Sequence, residues 1–131
     1  MSTNYSKMSD FEINKMICDV FWHDLRKSPE CENKSFPQNT SIVYMHNGYG
    51  GFSRDYCNNP ADAWPIIVGN KISIVSLDNK WIAAPVDTVI DGITGDSEVC
   101  FYASYDAVSD VNPLRAAMIV FLMMQESKNA S

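Results

Sequence analysis

Basic residues are scarce in this chain: 10 Lys and Arg stand against 16 Asp and Glu, a net charge of −6. Non-specific nucleic-acid binding needs a basic face that displaces counterions from phosphates, so direct contact with DNA or RNA is not expected. The acids are scattered and form no long run, which also weighs against mimicry of a DNA duplex. Long apolar stretches are missing too. The longest, Ala116 to Met124, has nine residues, against the roughly 20 that a membrane helix needs. The opening MSTNYSKMSD is polar and holds no apolar core of signal-peptide type, so a cytosolic setting is expected.

Metal and cofactor signatures are thin. There are two histidines, His23 and His46, and four cysteines, Cys18, Cys31, Cys57 and Cys100, with no CxxC pair. Cys18 and His23 stand five apart, off a common helical face, so no zinc-type spacing results. Neither GxGxxG, GxxxxGK nor GxSxG occurs. The expectation is no metal, no cofactor, and buried reduced thiols in place of a disulfide framework.

What is present is a well-patterned domain of 131 residues, with 46% apolar and 20% charged residues, values ordinary for a single globular unit. Residues 1–8 and 128–131 read as flexible tails. Ser9 and Glu12 form a capping box, with Met8 and Ile13 spaced as a staple. The helix they start carries Ile13, Met16, Ile17 and Val20 on one face and should end near Lys27, before Pro29. Residues 28–40 read as loop. Ser41–Met45 reads as a strand, and His46–Asn58 as a surface loop of glycines interleaved with aromatics.

Asn59-Pro60 is a cap followed by a proline at the first helical position. It predicts a short helix to about Val68, kinked at Pro65 and closed by Gly69 or Asn70 in a left-handed turn. Lys71–Leu77 and Trp81–Ala84 flank Asp78-Asn79-Lys80 and read as a hairpin. Residues 85–97 read as loop with a strand fragment at Thr88–Ile90, Glu98–Tyr105 as a strand, and Asp106–Val111 as the lead-in to the last helix. Asn112-Pro113 then opens a helix whose apolar run goes all round, so it belongs in the core. The sum is an α+β domain: a small, mostly antiparallel sheet of three to four strands, covered by an N-terminal helix, a short kinked helix and the buried C-terminal helix.

Candidate binding residues cluster in the glycine–aromatic region and the helix after it: His46, Tyr49, Phe52, Arg54, Tyr56 and Trp64. They could meet a partner protein, or stack and grip a small molecule or nucleotide through Arg54, Tyr56 and Trp64. The plainer alternative has Trp64 and Trp81 filling the core between helix and hairpin. A nucleophilic site would take Cys57 with His46 as base and Asp55 as orienter, though adjacency in sequence does not supply triad geometry. Arg115, in the first turn of an apolar helix, needs a carboxylate: Asp62 is the expected partner of a structural ion pair, with Asp106 and Asp110 as alternatives.

Three segments carry a resemblance: SDFEINK at 9–15, DYCNNPADAWPIIVGNKISI at 55–74 and NPLRAAMIVFLMM at 112–124. Together they resemble the NinX-type proteins of lambdoid phages and prophages. The last two are also similar to the phage ABA sandwich domain, in which a sheet lies between helical layers. The resemblance implies an accessory protein of the infected or lysogenic bacterial cytoplasm, and it assigns no catalytic residues. The expected role is a non-enzymatic binding protein with a host or phage protein as partner. The alternatives are a nucleotide or small-molecule sponge, or a Cys57-dependent enzyme. A homodimer is compatible with the sequence, which has no repeat to enforce one.

Overall fold

The computed structural model describes residues 4–27, 41–85, 90–91, 100–101 and 107–130. The first helix, α1 (Asp10–Phe21), starts as its capping box dictates. Ser9 Oγ accepts the Glu12 amide, and the Ser9 amide donates to Glu12 Oε1. It ends several residues sooner than the apolar spacing suggests. The Lys27 ammonium turns back and donates to the carbonyls of Trp22 and Leu25 at 2.8 and 3.0 Å, which suits a helix C-terminus. Arg26–Lys27 is then strand β1. The segment before α1 is no loose tail: Tyr5–Lys7 forms a 3-10 turn, Tyr5 is buried, and its hydroxyl donates to Glu126 at 2.7 Å.

The glycine–aromatic stretch, expected as a loop, is largely a hairpin. Strand β2 (Val43–His46) pairs antiparallel with β3 (Gly51–Arg54), and the sheet order is β1-β2-β3. Gly48 takes the turn's positive φ of 94°, and a Cβ on Gly51 would stand 2.7 Å from the Met45 carbonyl oxygen. Two small residues thus let a tight turn close where a loop was read.

Helix α2 (Pro60–Gly69) has its Asn59 cap, the Asn59 Oδ1 accepting the Ala61 amide. It runs through Pro65. That residue and Ala61, whose carbonyl the proline leaves without its usual donor, are both exposed, so water can replace the lost bond. The left-handed residue that closes α2 is Lys71 (φ 53°), not Gly69 or Asn70. The Ile72 amide reaches back to the Ile67 carbonyl and the Lys71 amide to Val68, a Schellman closure built on a lysine.

The hairpin expected next is present as β4 (Ser73–Ser76) and β5 (Trp81–Ala84). Its third strand is β8 (Val108–Asp110), the segment read as a lead-in. Of Glu98–Tyr105 only Cys100–Phe101 is described, as strand β7 paired with β6 (Ile90–Asp91). The expected loop at 28–40 lies outside the described residues.

Helix α3 (Pro113–Ala130) extends into the residues read as tail. Asn112 Oδ1 caps it through the amides of Leu114 and Arg115. Ala116 to Leu122 is buried without a break, and the helix contacts α1, α2, β4, β5 and β8. The class is α+β as expected, but the strands split into two three-stranded antiparallel sheets and a two-stranded ribbon.

Candidate functional site

The chain between β3 and α2 is knotted to all three helix starts by polar side chains. Asn14, fully buried on α1, donates to the Ser41 carbonyl and to Asp55 Oδ1, and its own carbonyl oxygen accepts the Cys57 amide. Asp55 Oδ2 accepts from Ser41 Oγ at 2.9 Å, and the Asp55 amide donates to Asp62 Oδ2 at 2.8 Å. Asn112 donates to the Cys57 carbonyl and to Asn58 Oδ1. Asn58 in turn donates to Asp10 Oδ2. Every member has a partner, which is what makes a buried polar network tolerable.

Arg115 anchors the same region. It pairs with Asp10 at 2.7 Å and Asp110 at 3.1 Å, and its remaining fork donates to the carbonyls of Tyr5, Ser6 and Met8. The expected Arg115–Asp62 pair is therefore corrected. Asp62 faces Arg54 instead, at 3.7 Å.

The Cys57 triad does not assemble. Cys57 is fully buried, its Sγ lies 3.9 Å from the Asp10 carbonyl oxygen, and burial pushes its thiol far above the ordinary range. Such a thiol is inert. Asp55 is spent on Asn14 and Ser41. His46 lines a separate hollow of about 380 Å³ with Asp24, Arg26, Asn47 and Gly48. Cys18 is equally buried and is pushed up to about 12.

The residues expected to converge on one binding loop divide among several places. Tyr49 stands 99% exposed at the hairpin tip. Phe52 packs edge-on against Trp22 at 5.0 Å and carries the Arg54 guanidinium 4.8 Å above its ring. Arg54 and Tyr56 do share a site, an open cleft of about 250 Å³ whose other walls are Phe21, Trp22, Ala61, Asp62, Pro65 and Ile66. Trp64 is on neither the cleft wall nor the core: it is 61% exposed on α2, which overturns the reading of it as a core filler. With exposed Ala61, Pro65 and Val68 it forms a stripe at i, i+3, i+4 and i+7, one helix face. That stripe was visible as spacing. Its exposure was not, because apolar residues also occupy the opposite face of α2, at Ala63, Ile66 and Ile67, and spacing alone does not say which face is buried.

Among the described residues no group of three or more His, Cys, Asp or Glu is placed to hold a metal ion, and no helix is long and apolar enough to cross a membrane.

The family model described as "Bacteriophage P22, NinX" matches residues 4–125. No curated protein and no solved structure matches the chain.

Proposed function

We propose that this chain, which belongs to the bacteriophage P22 NinX family, acts by binding a partner protein through the outer face of α2. As a family member it is a phage accessory protein. The observation that carries the reading is the stripe Ala61, Trp64, Pro65 and Val68, apolar, free of charge and open to solvent. Exposed Phe21 extends it across the cleft mouth. Contiguous exposed apolar surface of this kind marks interaction sites, and tryptophan is among the side chains that dominate interface energies.

The chain's net charge of −6 favours a partner that surrounds an apolar groove with basic residues. The setting is the host bacterial cytoplasm, and the partner a host or phage protein. The role is non-enzymatic, consistent with the sealing of Cys57 and the commitment of Asp55 to the polar knot.

The test is co-purification of tagged protein from phage-infected cells. A stoichiometric partner retained by Tyr49→Ser but lost by Trp64→Glu with Val68→Glu supports the reading. Equal loss with Tyr49→Ser would move the interface to the hairpin tip, and retention by the α2 double variant would refute it.

A further inference from the structure

The Tyr56 hydroxyl is an unusual group in this molecule. Tyr56 is only 4% exposed, and its Oη accepts the Trp22 indole N–H at 3.4 Å. Among the described residues nothing accepts the proton that Tyr56 itself donates. Buried donors nearly always find an acceptor, and Tyr56 is one of the residues that line the cleft between α1 and α2.

Two more groups on the cleft wall have capacity left. Arg54 lies flat over Phe52 and donates through Nη1 to the Ser53 carbonyl. Its Nε is 3.7 Å from Asp62 Oδ1, beyond hydrogen-bond reach, so donors remain unspent. Asp62 uses Oδ2 to hold the Asp55 amide, which leaves Oδ1 without a close donor. The cleft thus combines two donors, Tyr56 and Arg54, with one acceptor, Asp62. Its other walls, Phe21, Trp22, Pro65 and Ile66, are flat or apolar.

A carboxylate or phosphate guest would satisfy the donors but would press a like charge against Asp62. A neutral planar group with a carbonyl beside an N–H uses all three. Its oxygen accepts from Tyr56 and Arg54, its N–H donates to Asp62, and its ring face lies on the aromatic wall. The cleft volume of about 250 Å³ is under the ~300–1,000 Å³ of pockets that enclose whole ligands, so it holds a ring and leaves any sugar outside. We propose that this cleft binds a nucleobase of lactam type, a flat heterocycle presenting adjacent C=O and N–H groups. Stacking on aromatic side chains is available to any such base, and the donor–acceptor set selects the lactam edge. The cleft shares Phe21, Ala61 and Pro65 with the proposed docking surface, but the polar set that reads the guest, Tyr56, Arg54 and Asp62, lies outside the stripe, so loss of nucleoside binding and loss of partner binding are distinguishable.

The probes are uridine and inosine, titrated into ¹⁵N-labelled protein while the Trp22 indole signal is followed. That signal is assigned by comparison with Trp64→Phe and Trp81→Phe variants. Both nucleosides should shift it saturably. 3-Methyluridine and 1-methylinosine, which keep the ring and lose the N–H, should bind about tenfold more weakly, as should the parent nucleosides to Tyr56→Phe and Asp62→Asn. The methylated probes keep the test independent of whether either variant folds. No saturable shift up to the solubility limit would overturn the proposal, as would an equal response to the methylated nucleosides. Saturation by N-acetylphenylalanine amide with no response to nucleosides would overturn it in favour of a peptide guest.

Discussion

Truncating Arg115 to Ala removes a guanidinium whose side chain is 12% exposed and which makes five contacts, to the chain before α1, to Asp10 at its start and to β8. Two carboxylates then lose their cation, and three carbonyls lose a donor. Breaking a buried pair from one side costs ~3–5 kcal/mol, because the partner charge stays behind uncompensated. Here Asp10 keeps 34% and Asp110 21% of the side chain in solvent, and water recovers part of that cost. The expected loss is about 3 kcal/mol, read as a drop of about 10 °C in Tm for a chain of this size. Urea unfolding with an unchanged m-value gives the free energy directly. Arg115→Lys should lose less: it keeps a charge for Asp10 but cannot span the fork between Asp110 and the Met8 carbonyl. Hydrogen exchange adds a local signature, since amides in residues 4–8 should lose protection before those of α3. A loss under about 1 kcal/mol would mean that both carboxylates are solvated well enough without Arg115, and the account of an anchor would fail.

Lys71 closes α2 at φ 53°, a conformation that disfavours any side chain with a Cβ. Lys71→Gly should therefore raise stability by about 0.5–1 kcal/mol; no change or a loss would show that the lysine side chain contributes something the closure geometry does not. The buried thiols give a pH dependence. Cys18 rises from 9.0 to about 12 on folding and Cys57 rises as well, so the folded state holds these protons more tightly than the unfolded chain. Their contribution is complete below pH 9 and is lost as pH climbs toward the folded values, at up to about 1.4 kcal/mol per pH unit for each thiol. Cys18→Ala should flatten that alkaline decline relative to its own neutral stability. Iodoacetamide should label neither thiol in the native protein near neutral pH, and rapid native labelling of Cys57 would reopen the nucleophile.

What could be read from the sequence was local. Ser9 with Glu12, Asn59 with Pro60, and Asn112 with Pro113 each mark a helix start within a few residues, and each cap forms. The β4–β5 hairpin is equally local. What escaped depended on partners far along the chain. Residues 5–7 look like a tail until Arg115 and Glu126, more than 100 residues later, supply their contacts. Strand β8 has three residues and is a strand only because β5 lies beside it. In the sequence Asn14 is one polar residue on an amphipathic helix. Its role follows from the return of Ser41, Asp55 and Cys57 to its side. The cleft is half legible: Arg54 and Tyr56 stand among the candidate binding residues, but Phe21 and Trp22 come from the end of α1, which stops short of the expected Lys27.

Polar and apolar groups are partly exchanged in this fold. Asn14, Asp55 and Arg115 are drawn into the protein and fixed there by fully partnered contacts, while Trp64, Pro65 and Val68 stand in water. The first arrangement consumes the Asp, Asn and Cys side chains that could have made a reactive centre, and it fixes the segment from Asp55 to Asn59 against α1 and α3. That segment leads directly into α2. A helix launched from so rigid a base need not be ordered when a partner arrives, which spares part of the entropic cost of association. The exposed stripe is otherwise a liability for solubility. Under the docking role proposed above, its position on a helix whose start is fixed by the Asn59 cap and the Asp55–Asp62 contact makes the polar knot the base that presents α2. Loosening the knot with Asn14→Ala should therefore weaken partner binding even though Asn14 lies buried away from the stripe. Unchanged affinity in a variant shown to be destabilised would separate the two and leave the knot with a purely folding role.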